Sequence, residues 1–175
     1  MNTSTQSNAA QRSARAQQAY DLVAQVPDPE IPVVSLFDLG ILRDVTDGPG
    51  GLCVILTPTY SGCPATEAIA QDVRKVLSDS GLNEARVDIK LSPAWTSDWM
   101  SVEGREKLKA YGITPPSCSA AEAQQVIALR RKISVSCPRC NSNQTEQLSN
   151  FGSTPCKSLY RCLICREPFD YFKPY

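Results

Sequence analysis

Cys137-Pro-Arg-Cys140, followed after a 21-residue spacer by Cys162-Leu-Ile-Cys165, decides how the C-terminal part of this chain folds. Two residues between cysteines let both sulfurs face one ion while the intervening amides point back at them. Two such turns supply a closed tetrahedral set of four thiolates. The spacer is slightly longer than the common range, and the extra length only enlarges a hairpin. Zinc is the ion this donor set predicts. Iron in a rubredoxin-like centre shares the spacing, and disulfides are the plainer alternative. A four-thiolate zinc site leaves no coordination position open, so its expected role is structural. Asn141, directly after the first pair, suits a left-handed backbone. Residues 144–151, 159–162 and 168–173 read as the short strands of a zinc ribbon spanning 133–175. Cys156, a fifth cysteine in that ribbon, reads either as a buried thiol or as a reactive thiol or additional ligand beside Lys157.

The whole chain has 175 residues, 42% hydrophobic and 21% charged, with a formal net charge of zero. That is the composition of an ordinary globular protein with room for one modest domain and a small appendage. Zero net charge argues against nucleic-acid binding. Within the ribbon, Arg139, Lys157, Arg161, Arg166 and Lys173 face Glu146, Glu167 and Asp170. Four thiolates on a divalent ion bring that segment near neutrality, which does not suit a DNA-binding ribbon. No apolar run approaches the roughly 20 residues of a membrane span. The first 18 residues are polar, lack the apolar core of a secretory signal, and are expected to be a disordered tail. A reducing, cytoplasmic setting follows, in which paired cysteines favour metal over disulfide. There are eight cysteines and no histidine, so neither a Ser-His-Asp triad nor a Cys-His dyad can be built.

Upstream of the ribbon the pattern predicts a small α+β domain over 19–113: a two-layer arrangement of sheet and helix. Ala19, Leu22, Val23 and Val26 mark a helix over 14–26, ended by Pro27. Residues 39–45 and 52–56 read as a hairpin around Asp47-Gly-Pro-Gly-Gly51. Ala65, Ile69, Val73, Val76 and Leu77 fall on one side of a helix that stops at Gly81. Val87, Ile89 and Leu91 alternate with Arg86, Asp88 and Lys90, as in a half-buried strand. Trp95 and Trp99 follow as lids on the core, then a helix over 102–110 that ends at Gly112. Residues 114–132 are expected to be a linker, helical in part. Cys53 reads as core and Cys118 as incidental.

Two further features carry chemistry. Pro64 suits the first position of a helix, which puts Cys63 at the N-cap. There, free amides and the helix dipole predict a low-pKa thiolate, against the plainer reading of a small packed residue. Asp28 and Glu30 lie in a loop stiffened by Pro27, Pro29 and Pro32, either as capping carboxylates or as a rigid pair near Cys63.

These residues also carry a resemblance. Asp28-Pro-Glu-Ile-Pro-Val-Val-Ser-Leu-Phe-Asp-Leu-Gly40, Leu56-Thr-Pro-Thr-Tyr-Ser-Gly-Cys-Pro-Ala65 and Pro93-Ala-Trp-Thr-Ser-Asp-Trp99 resemble the DUF59 family of iron–sulfur assembly factors. With the four-cysteine ribbon and Phe151-Gly-Ser-Thr154, nearly the whole chain is similar to the PaaD (PaaJ) family, small accessory subunits of the phenylacetyl-CoA epoxidase system. The resemblance implies a cytoplasmic bacterial maturation protein, not itself an enzyme, in aerobic phenylacetate breakdown. Its implied client is the reductase subunit, or another subunit of that complex. It further implies a transient iron–sulfur cluster handled by Cys63 with Asp28 and Glu30, and structural zinc on Cys137, Cys140, Cys162 and Cys165. One thiolate per chain cannot hold a two-iron cluster, so a homodimer or a cluster shared with the client is expected. A non-catalytic docking subunit of the oxygenase is the alternative.

Overall fold

The computed structural model describes residues 12–116 and 134–175. Most of the expected linker, with Cys118, and residues 1–11 of the expected tail lie outside them. The chain divides into two compact units, 1–94 and 95–175.

The first unit opens with helix α1, Ala14–Ala24, so 14–18 are helical rather than tail. Ser13 starts it by accepting the Ala16 amide at 3.1 Å, the usual N-cap bond, and Ala16, Ala19 and Val23 form the buried stripe. Strands β1, Leu42–Gly48, and β2, Gly51–Leu56, make the expected hairpin, closed by the pair Gly48–Gly51. Gly51 has φ +83°, a conformation that a side chain would strain. Helix α2, Ala65–Asp79, buries Ala65, Ile69, Ala70, Val73 and Leu77, the helical-period face. Gly81, at φ +80°, releases the chain toward β3, Arg86–Ile89. β3 pairs parallel with β2, so β2-α2-β3 is a crossover unit and the sheet order is β1-β2-β3. The strand forms where expected, but its burial does not alternate: Val87 and Asp88 are both half-buried, while Ile89 is 40% and Leu91 53% exposed. β3 is an outer strand, and Leu91 lies beyond its last pair.

The second unit takes in the 95–113 stretch that sequence reading joins to the first domain. Ser101 caps helix α3, Val102–Tyr111, by accepting the Gly104 amide at 2.8 Å. Gly112, at φ +95°, turns the chain into a two-residue strand, β4, Ile113–Thr114. Strands β5, Thr145–Ser149, β6, Lys157–Cys162, and β7, Pro168–Phe172, fall where the ribbon pattern puts them. β5, β6 and β7 run antiparallel, and β4 adds to β7 in parallel, giving the order β4-β7-β6-β5. That pairing ties α3 and β4 to the ribbon. Trp95 is buried against Phe172, with ring centroids 6.0 Å apart.

Leu77 is fully buried in the α2 face. Leu77→Ala should lower unfolding stability by about 3 kcal/mol, read as a lower urea midpoint with an unchanged slope.

Candidate functional site

The four ribbon sulfurs lie within 4.8 Å of one another. Cys137 and Cys165 approach to 3.7 Å, Cys140 and Cys162 to 3.5 Å. A tetrahedral ion with bonds of about 2.3 Å sets its sulfurs about 3.8 Å apart, so these residues fit such a metal. No disulfide joins the described cysteines.

The two knuckles repeat one backbone design. The Cys137 amide donates to the Ser142 carbonyl at 2.9 Å and the Cys162 amide to the Glu167 carbonyl at 3.0 Å. Asn141 (φ 57°) and Arg166 (φ 66°) follow the second cysteine of each pair in the left-handed region. Asn141 is as expected from its residue type. Arg166 escapes that reading, because only the equal spacing of the knuckles points to it. Cys137 and Cys162 are buried, Cys140 and Cys165 exposed. The Cys165 and Ile164 amides help pull the Cys162 thiol down to about 6. The Glu167 amide favours the Cys165 thiolate, but partial desolvation and the facing sulfurs of Cys162, Cys137 and Cys140 outweigh it and push that thiol up to about 12. Sulfurs this close hold protons between them, and a divalent cation is what displaces those protons.

Cys63 lies one residue further from the helix than expected: α2 starts at Ala65 with Pro64 at the N-cap position and no side-chain cap bond, although hydrogen bonds from the Ala65 amide and the Thr66 hydroxyl still favour the Cys63 thiolate. The low pKa does not follow. Burial raises the thiol, and the charges of Glu30 and Asp28 raise it further, against those two hydrogen bonds. Both carboxylates therefore act on Cys63, which sequence alone could not tell. Asp28 also folds its own loop, its Oδ1 accepting the Glu30 amide at 2.9 Å and the Ile31 amide at 2.8 Å. Ile31, Val34, Leu36 and Leu39 then anchor the loop in the core. Among the described residues, only the ribbon cysteines bring three or more His, Cys, Asp or Glu donors to metal-binding distance, so Cys63, Asp28 and Glu30 do not close a metal site by themselves.

Cys156 is not one of the four clustered sulfurs. It is buried, with its sulfur 3.0 Å from the Thr154 hydroxyl, and its carbonyl accepts the Lys173 amide across the sheet. Cys53 is buried in β2, and burial, with the neighbouring Asp88 carboxylate, raises its thiol above the ordinary range.

Comparison with known proteins divides the chain in the same way. Residues 16–94 match the family described as iron–sulfur cluster assembly protein, and 121–173 match the PaaD zinc β ribbon domain. A relative from Escherichia coli (strain K12), provisionally named as a subunit of 1,2-phenylacetyl-CoA epoxidase, is 48% identical over 154 residues, 88% of this chain and 90% of its own length. An Fe-S protein maturation auxiliary factor of Porphyromonas gingivalis is 39% identical over 89 residues, 50% of this chain and 84% of its own. The crystal structure of a DUF59 domain of unknown function from Bacillus anthracis superposes with a TM-score of 0.51 at 33% identity, covering 58% of this chain and 97% of that one.

Replacing Glu30 by Gln removes a negative charge that disfavours the Cys63 thiolate. The pH profile of Cys63 alkylation by iodoacetamide, followed by peptide mass spectrometry, should therefore move to lower pH in Glu30→Gln. It should still sit above that of a solvent-exposed thiol, because burial remains.

Proposed function

The chain belongs to the PaaD family, an iron–sulfur cluster assembly domain joined to a metal-binding zinc ribbon, and on that premise we propose that it is a maturation factor that carries an iron–sulfur cluster on Cys63. The observation that carries this reading is the incomplete donor set at the head of α2. Cys63 is half-buried, supported by one amide and one hydroxyl, and faced by two carboxylates. Such a site is too poor in ligands to keep a cluster and well suited to releasing one.

Cluster handover is thiolate exchange. As the Fe–S bond to Cys63 forms, the thiol proton leaves, and Glu30 and solvent are the acceptors at hand. The negative field of Glu30 and Asp28 that disfavours a free thiolate favours an incoming iron cation. On transfer, a deprotonated client cysteine forms the new Fe–S bond, the Fe–S bond to Cys63 breaks, and Cys63 takes a proton back. The remaining ligands come from a second copy or from the client. The chain has no histidine to act as general base, and the Cys63 thiol is held above its ordinary pKa; both weigh against nucleophilic catalysis. The reading is accordingly of an accessory protein, not an enzyme.

The ribbon ion is zinc on Cys137, Cys140, Cys162 and Cys165, structural because four thiolates fill its coordination sphere. The E. coli relative's name supports an epoxidase complex as the setting; the client proposed within it is an iron–sulfur reductase subunit, and the location proposed is the cytoplasm. The same name also favours a second reading, a docking subunit that carries no cluster.

Native mass spectrometry of protein purified without oxygen separates the two. One zinc per chain plus an iron–sulfur adduct, lost in Cys63→Ala while zinc is retained, is the expected result. Zinc alone after cluster reconstitution would leave only the docking reading.

A further inference from the structure

Residues 95–120 fall in neither family match, yet part of this stretch reaches the metal centre. The approach to the first ligand, Ser134 to Cys137, is held from both outer strands of the ribbon sheet. Thr145 on β5 donates its hydroxyl to the Val135 carbonyl at 2.7 Å. Thr114 on β4 donates to the Ser136 carbonyl at 2.8 Å.

The second of these bonds bears directly on a ligand. The Ser136 carbonyl and the Cys137 amide belong to one planar peptide, whose plane also contains the Cys137 Cα. Thr114 holds its oxygen, and the Ser142 carbonyl accepts its N–H at 2.9 Å. With both polar groups fixed, the plane cannot rotate, and the Cα from which the Cys137 sulfur projects is set. Thr114 itself has little freedom. It is buried and paired with Tyr171 on β7, at the end of a strand that the left-handed Gly112 directs out of α3.

We propose that Thr114 is a positioning residue of the four-cysteine metal centre, acting through the Ser136–Cys137 peptide from outside the ribbon's own cysteine pattern. The inference rests on the four cysteines binding metal and is independent of cluster transfer by Cys63. Coupling of this kind is reciprocal. Thr114 tightens the metal site, and bound metal holds β4 on the sheet.

The test uses full-length zinc-loaded protein and a chromophoric chelator as competitor. Thr114→Val removes the hydroxyl and keeps the shape; Thr114→Ser restores the hydroxyl. Loss of an outer-sphere partner predicts roughly 10-fold weaker zinc retention in Thr114→Val. Thr114→Ser should return close to wild type. Wild-type affinity in Thr114→Val, or equal weakening in Thr114→Ser, would overturn the proposal. If Thr114→Val does not fold, hydrogen exchange on the wild-type chain decides. Chelating zinc should raise exchange in a peptide covering 108–116 and leave one covering 42–56 unchanged. Unchanged exchange over 108–116 would sink the idea.

Discussion

Four sulfur atoms within 4.8 Å of one another cannot all ionise unless a cation sits among them, and the second unit is built around that constraint. Its core cluster is Val135, Cys137, Cys162, Phe169 and Tyr171, with Tyr160 packed against it. Two of those residues are ligands, so coordination and core packing are not separable here. The aromatic contacts are modest: Tyr160 lies 5.9 Å from Phe169 and 5.6 Å from Tyr171, ring to ring. A unit this small buries too little apolar surface to be secure without a staple. Metal binding then counts as folding free energy, because the unfolded chain has no preformed site.

The Cys63 turn answers the opposite demand. Where the ribbon brings four sulfurs together, this turn presents one. An amide and a hydroxyl favour its thiolate, while burial and two carboxylates oppose it more strongly. A free thiol that stays protonated is protected from alkylation and oxidation, because the thiolate is the reactive form. On the cluster-carrier proposal, a cation arriving at Cys63 would reverse the sign of the carboxylate contribution, so the same side chains would keep the free thiol quiet and favour the loaded one.

Much of this was legible in the sequence, for identifiable reasons. The knuckles, the hairpin, the α2 face and the stops at Gly81 and Gly112 are local, set by spacing, period or a left-handed glycine. What escaped reading depends on partners distant in the chain. The stretch around Val87 and Ile89 is correctly read as a strand, but which of its residues are buried depends on β3 being outermost. The Cys63 pKa depends on Glu30 and Asp28, whose approach no periodicity encodes. β4 is two residues long and pairs in parallel with a strand near the chain's other end, so no window of sequence contains both partners.

That last pairing explains why the stretch from Trp95 belongs with the ribbon. Without β4, the Pro168–Phe172 strand would present an open edge. Without Trp95, Phe172 would lose its principal aromatic neighbour upstream of the cysteines; Phe172 is 1% exposed, packed against Trp95 at 6.0 Å. Ser97 adds a tie of its own, its amide donating to the Tyr175 carbonyl at 3.1 Å, and the Arg105 guanidinium bonds the Ser97 and Pro116 carbonyls at 2.7 and 2.8 Å. These contacts cover the sheet face opposite the Tyr160 and Tyr171 cluster, since Phe172 and Tyr171 are neighbours in one strand and point to opposite sides. The metal organises one face of the ribbon sheet, and residues upstream of the first cysteine supply packing for the other. A ribbon defined by its cysteines alone is therefore half of a folding unit.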